Sequence, residues 1–143
     1  MLRRLVLTAA ASAAALSALP LLPAPRTPPT PAPGPIDRLT ISVSDSGGDG
    51  EGTYELTCHP TGGTHPAAKQ ACARLDEVTV WGTDPFAPVP ADRMCTMQYG
   101  GPATARITGT WQGRPVDATY NRGNGCEISR WDNMAPVLPR ASR

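Results

Sequence analysis

Along the stretch "RLTISVS" apolar and polar residues alternate, Leu39, Ile41 and Val43 against Thr40, Ser42 and Ser44. A period of two sets each group on its own face of a pleated strand, so the pattern predicts a half-buried strand over 38–44. "TYELTC" repeats the alternation, with Tyr54, Leu56 and Cys58 opposed to Glu55 and Thr57. The intervening "DSGGDGEG" predicts a turn, and the two strands an antiparallel hairpin. The loop "HPTGGTHP" follows, and then the period changes. In "AAKQACARLDEV" the residues Ala68, Ala71, Cys72 and Leu75 recur at i, i+3, i+4 and i+7, one stripe of a helix. Pro66 suits the first turn of that helix and Thr64 suits its N-cap. Gly82, Pro85, Pro88 and Pro90 then break regular structure. "ARITGTWQGRPVDATY" predicts two further strands that meet at Gln112–Gly113. Ile107, Gly109 and Trp111 share a face of the first, and Val116, Ala118 and Tyr120 share a face of the second. No internal repeat is present. The elements predict an α+β class, a small antiparallel β-sheet with a helix laid on one face.

The N-terminal part follows neither period. Arg3 and Arg4 form a short positive start, Leu5 to Leu22 carries no charge, and small residues crowd the stretch that follows. That layout predicts a secretory signal peptide over 1–24, with Ala15, Ala18 and Ala24 as candidate cut sites. The uncharged run is long enough for a membrane span. Its alanine content and the prolines behind it favour a removable leader, so no membrane attachment is expected after cleavage. Eight prolines between Pro20 and Pro35 predict a disordered or polyproline spacer over 25–36. A single folded domain is expected over 37–143, in a protein that is secreted and extracellular.

Composition narrows the partners. The formal net charge is +1, and losing Arg3 and Arg4 with the leader takes it to about −1. There is no basic field for nucleic acid or anionic lipid, so partners are to be recognised by shape and local contacts. Four cysteines, Cys58, Cys72, Cys95 and Cys126, all fall within the domain. An even count in an exported chain predicts two disulfides, with three pairings open. Pairing of neighbours closes the shorter loops, and each bridge contributes on the order of 3–4 kcal/mol by limiting the unfolded chain.

Catalytic chemistry runs short of parts. The histidines are His59 and His65, both in one Gly/Pro loop, with no acidic neighbour in sequence to orient either. A triad needs a held base beside a free nucleophile, and a bridged cysteine offers no thiolate. An enzyme is therefore not expected. Cys58, His59, His65 and Cys72 are zinc-type ligands, but their spacing matches no common finger and export favours oxidised cysteines. "GGDGEG" lacks the ordered ligand positions of a calcium loop and reads as a turn. No metal and no cofactor are expected.

The segment "DRMCTMQYGGP", Asp92 to Pro102, is harder to place. As a strand it would send Met94, Met97 and Tyr99 into the core. The Pro-rich approach "DPFAPVPAD" stiffens a loop rather than pairing in a sheet, and Cys95 ties that loop down. These features favour a tethered loop that displays its apolar side chains at the surface.

Three stretches together resemble the Streptomyces subtilisin inhibitor-like family. They are "YELTCHPTGGTHPAAKQACARL", the reactive-site-like "MCTMQY", and "GTWQGRPVDATY" followed by "NGCEI", spanning roughly Leu39 to Glu127 in family order. The resemblance implies a secreted inhibitor of serine proteases and a homodimer. It implies an antiparallel sheet of about five strands with two helices packed on one face, and the disulfides Cys58–Cys72 and Cys95–Cys126. Carried over by position, the reactive bond would be Met97–Gln98. Met94, Cys95 and Thr96 would contact the protease on its acyl side, and Tyr99 and Gly100 beyond Gln98 on its leaving side. Asn124 would support the loop from beneath. Met97 suits extracellular subtilisin-like and, less strongly, chymotrypsin-like serine proteases, since methionine is unbranched and adapts to apolar pockets. The sequence departs from the family at "YGGP": Gly100 and Gly101 precede Pro102, and two glycines are expected to loosen the leaving side of the loop. The competing expectation is a secreted, non-inhibitory interaction protein on the same scaffold. A transglutaminase substrate would be one such protein, offering Lys69, Gln70 and Gln98.

Overall fold

In a computed structural model the described residues are 20–30, 37–48 and 50–141. The alternating segments become strands β1 (Asp37–Ser44), β2 (Gly52–Cys58), β4 (Thr104–Trp111) and β5 (Arg114–Tyr120), joined at one edge by the two-residue β3 (Gly62–Gly63). Helix α1 covers Ala68–Val78 and helix α2 covers Gly125–Asn133. The sheet order is β3-β2-β1-β4-β5, and every neighbouring pair is antiparallel. Ile41 of β1 stands opposite Tyr54 of β2 and Ile107 of β4, so the inward residues of three strands line up in one row.

One face of the sheet is buried because the period-two pattern holds in every long strand. Leu39, Ile41, Leu56, Ile107, Val116 and Tyr120 point inward and meet Ala71, Cys72 and Leu75 of α1 and Trp131 of α2. Met134, Val137 and Leu138 follow α2 into the same core. Each fully buried side chain of this kind contributes about 1.5–3 kcal/mol. The hairpin between β4 and β5 turns at Gln112 and Gly113, with φ of 49° and 75°. Two positive φ values in succession make the tight turn whose twist matches the flanking strands, and glycine takes that geometry without a Cβ penalty.

Two local expectations change. Thr64 does not cap α1: the residue at that position is Ala67, with no side-chain cap. Residues 62–64 are instead drawn to the sheet edge, where the Glu55 N–H donates to Thr64 Oγ1 (2.9 Å) and the Thr64 N–H donates to Glu55 O (2.8 Å). The entry to α1 is secured by buried His65, whose Nδ1 accepts from the Ala67 N–H (3.0 Å) while Nε2 donates to Val137 O (3.0 Å). The second is Pro66, which lies before the N-cap of α1 rather than in its first turn. The second helix that the resemblance implied does form as α2, although the spacing of apolar residues did not mark it. Its boundary is set by Asn124, whose side-chain oxygen accepts from the Glu127 N–H (3.0 Å), with the Glu127 carboxylate in the positive first turn.

The chain falls into two units, Met1–Pro31 and Ala32–Arg143. In the first unit, residues 20–30 have no regular secondary structure and are exposed. The expected leader falls largely on residues 1–19, and half of the expected spacer on 31–36, both outside the described residues. Among the described residues, no helix is long and apolar enough to cross a membrane.

Candidate functional site

Both expected bridges form. Cys58–Cys72 joins the end of β2 to α1, and Cys95–Cys126 joins the methionine-bearing segment to the first turn of α2. The zinc-type set is therefore not assembled. Cys58 and Cys72 are bonded to each other, His65 is taken up by backbone groups, and His59 is bonded to Asp37 and Asp76.

From Arg93 to Gly100 the chain has no regular structure and runs over the surface. Met94, Met97 and Tyr99 are exposed, Met97 at 99%. They are not core residues of a strand. An apolar side chain left this open gains nothing from the fold, so the segment must be held by its backbone.

Three sets of bonds hold it. At Cys95 the disulfide anchors the chain to α2, and one residue later the Gly125 N–H donates to Thr96 O (3.0 Å). That donor is the first residue of α2, where the helix dipole favours an oxygen. On the far side, Gly100 is gripped at both ends of its residue. Its N–H donates to Arg122 O (2.8 Å), and its carbonyl accepts from Arg122 Nε (3.0 Å). The Arg122 side chain is buried and its Nη1 donates to Asp132 Oδ1 (2.7 Å), which fixes the guanidinium in place. Between these anchors Met97 and Gln98 stand clear. The Thr96 hydroxyl donates to Gln98 Oε1 (3.3 Å) across the residue between them.

The third set steadies the approach. Arg130 of α2 donates to Phe86 O (3.1 Å), Ala87 O (2.8 Å) and Thr119 O (2.6 Å), binding the Pro-rich segment to the end of β5. Its guanidinium lies 3.9 Å from the centre of the Tyr120 ring. Burial pushes the Tyr120 hydroxyl up to about 12, so it stays a donor, here to Pro85 O (3.3 Å).

The expected site residues Met94, Cys95, Thr96, Met97, Gln98, Tyr99 and Gly100 thus lie on one continuous surface segment. Asn124 lies next to it: its oxygen caps α2, and the following residue makes the bond to Thr96. The expected loosening at Gly100 is reversed. A Cβ there would come within 2.8 Å of Ile128 Cγ1 and 3.1 Å of Arg122 Cβ, so glycine permits the close approach that both bonds to Arg122 need. Of this pair it is Gly101, at φ 102°, that uses glycine for its backbone freedom. Arg122 and Arg130 are the residues that sequence reasoning missed. Their one signal was position, two cations flanking Cys126 in a domain otherwise poor in charge clusters.

Comparison with known proteins adds a family. The profile described as "Subtilisin inhibitor-like" matches residues 36–124. Subtilisin inhibitor-like protein 1 of Streptomyces cacaoi is 40% identical over 80 residues, 52% of this chain and 68% of that protein. Protease inhibitor SIL-V2 of Streptomyces orinoci is 37% identical over 90 residues, 62% of this chain and 81% of that protein. Among solved structures, Streptomyces caespitosus sermetstatin in complex with Bacillus licheniformis subtilisin aligns at 24% identity with a TM-score of 0.44. That alignment covers 76% of this chain and 100% of that one.

Proposed function

The chain belongs to the subtilisin inhibitor-like family, and on that premise we propose that it is a substrate-like inhibitor of subtilisin-like serine proteases with Met97–Gln98 as its reactive bond. Family membership also makes it an inhibitor rather than an enzyme. The observation that carries the assignment of the bond is the pairing of full exposure at Met97 with backbone anchors on both sides, at Cys95–Thr96 and at Gly100.

The mechanism follows from rigidity. A protease binds an extended backbone as an added strand, with alternate side chains entering pockets. Met97 would fill the primary pocket and Met94 a second apolar one, while Thr96 and Gly100 keep the intervening chain in its bound shape. Because that order exists before binding, little conformational entropy is lost on association. If the protease cuts Met97–Gln98, the Arg122 clamp on one side and the disulfide on the other keep the new amine beside the acyl group. Rejoining then competes with water at a high effective concentration.

A methionine in the primary position extends the target class to chymotrypsin-like enzymes. The leader 1–24 and spacer 25–36 would deliver the domain 37–143 outside the cell, and N-terminal sequencing of the exported form checks the cut. A homodimer is tested by sedimentation equilibrium of that form.

Steady-state inhibition of subtilisin tests the central claim. Stoichiometric inhibition is expected, and Met97→Asp should weaken it on the order of 100-fold or more by placing an unpaired charge in an apolar pocket. Rapid cleavage without inhibition would sink the proposal. It would favour a non-inhibitory interaction protein, in which exposed Lys69, Gln70 and Gln98 are open to a transglutaminase.

A further inference from the structure

The sequence contains Met1, Met94, Met97 and Met134. The fold separates those it describes sharply: Met94 is 94% exposed and Met97 99% exposed, whereas Met134 is 1% exposed in the core. Met1 lies outside the described residues. The two open thioethers sit three residues apart on a segment that the fold anchors on both sides and leaves bare. At these exposures both side chains are open to small solutes.

We propose that Met94 and Met97 form an oxidation site, through which hydroperoxides switch off the loop's ability to occupy apolar protease pockets. This proposal rests on the reading of Met97–Gln98 as the reactive bond and names a regulation of that same site. The chemistry is a two-electron transfer. A thioether lone pair attacks the terminal peroxide oxygen, the O–O bond breaks, and the other oxygen takes up that oxygen's proton and leaves as water from hydrogen peroxide or as the alcohol from an organic hydroperoxide. Sulfur is oxidised to the sulfoxide and the peroxide is reduced.

A sulfoxide is polar and chiral where the thioether was apolar and adaptable. In an apolar primary pocket its oxygen would be desolvated without a partner. The expected loss is about ten- to a hundredfold in affinity at Met97. Met94 stands three residues from the proposed reactive bond, so its oxidation should cost less. Nothing in the clamp at Arg122 or in the disulfide involves a methionine side chain, so the scaffold itself would survive.

The experiment treats the folded protein with graded hydrogen peroxide and follows each methionine by peptide mass, with subtilisin inhibition measured on the same samples. Oxygen should be gained at Met94 and Met97 while Met134 stays unmodified, and inhibition should fall in step with Met97 sulfoxide. Methionine sulfoxide reductases with a thiol reductant should restore it. In Met97→Leu, whatever its starting affinity, the ratio of inhibition before and after peroxide should stay within about twofold, since no thioether remains at that position. A preformed complex with subtilisin should protect Met97. Equal oxidation of Met134 and Met97 in the folded protein would overturn the site. Undiminished inhibition with Met97 fully oxidised would overturn the switch. If the untreated protein fails to inhibit, the reading of the loop fails and the switch with it, while the mass measurement still decides whether the thioethers are the reactive groups.

Discussion

Arg122 does more for the loop than any residue that contacts a protease in the proposed reading. Its carbonyl and its guanidinium both bind Gly100, and the guanidinium is set by Asp132 and lies 5.9 Å from the Trp131 ring centre. A charged donor of this kind contributes about 1.5–3 kcal/mol, most of it through geometry that a flexible lysine would not reproduce. Arg122→Ala should therefore weaken subtilisin inhibition by roughly 10- to 100-fold. It should also raise the rate at which chain cut at Met97–Gln98 accumulates, read by gel or mass over time. Unchanged inhibition would mean that the leaving side needs no clamp. At this scale the sequence was legible where chemistry is local. The exposure of Met94, Met97 and Tyr99 followed from a Pro-rich approach and a nearby cysteine, while Met97 was singled out by the family resemblance. Arg122 was not legible, because an arginine's role depends on which carbonyls the fold brings to it, and Gly100 was misjudged for the same reason. Glycine reads as freedom in sequence, whereas here its missing side chain permits contact.

At the scale of elements, His59 joins β1 to α1. It follows β2, and its ring lies between Asp37 Oδ2 (2.8 Å from Nδ1) and Asp76 Oδ2 (3.1 Å from Nε2), with Trp111 alongside. The other oxygen of buried Asp37 accepts from the Gln112 N–H (2.7 Å), so the β4–β5 turn is tied to the same carboxylate. A neutral imidazole has one N–H and can donate to one carboxylate, so bracketing by two favours the imidazolium. Hydrogen bonds to Asp37 and then Asp76 accordingly hold the His59 pKa above its usual 6.5. A raised folded pKa stabilises the fold fully below the unfolded value, and that contribution is lost as pH rises through the folded one. Melting temperature of the wild type relative to Asp76→Asn should thus shrink as pH climbs from about 6 upward, in step with the His59 ring titration followed by NMR. A gap that widens with pH would contradict the bracket. The long strands and α1 were readable because each has a clean period. The edge strand β3 has two residues and no period, and α2 is begun by a cap and buries chiefly Trp131, too little for a stripe.

Across the whole molecule the two disulfides do different things at similar energetic weight. Cys58–Cys72 closes a separation of 14 residues within β2 and α1, and Cys95–Cys126 closes 31 residues between the loop and α2. Limiting the unfolded chain makes these worth about 3 and about 3–4 kcal/mol respectively, close enough that either loss should lower stability comparably. Their consequences for inhibition should diverge. Without Cys95–Cys126, α2 loses its covalent hold on the segment, and the bond from Gly125 to Thr96 is left to tie the two together next to Met97. The double variant Cys95→Ser/Cys126→Ser should turn the inhibitor into a substrate, cut at Met97–Gln98 with fragments released. The matched variant Cys58→Ser/Cys72→Ser should be cut far more slowly while melting at a similar temperature. Cleavage rates measured well below both melting points separate the two outcomes, because global unfolding is then negligible for either protein. Equal cleavage of both would show that overall stability, rather than the local tether, keeps the loop from being consumed.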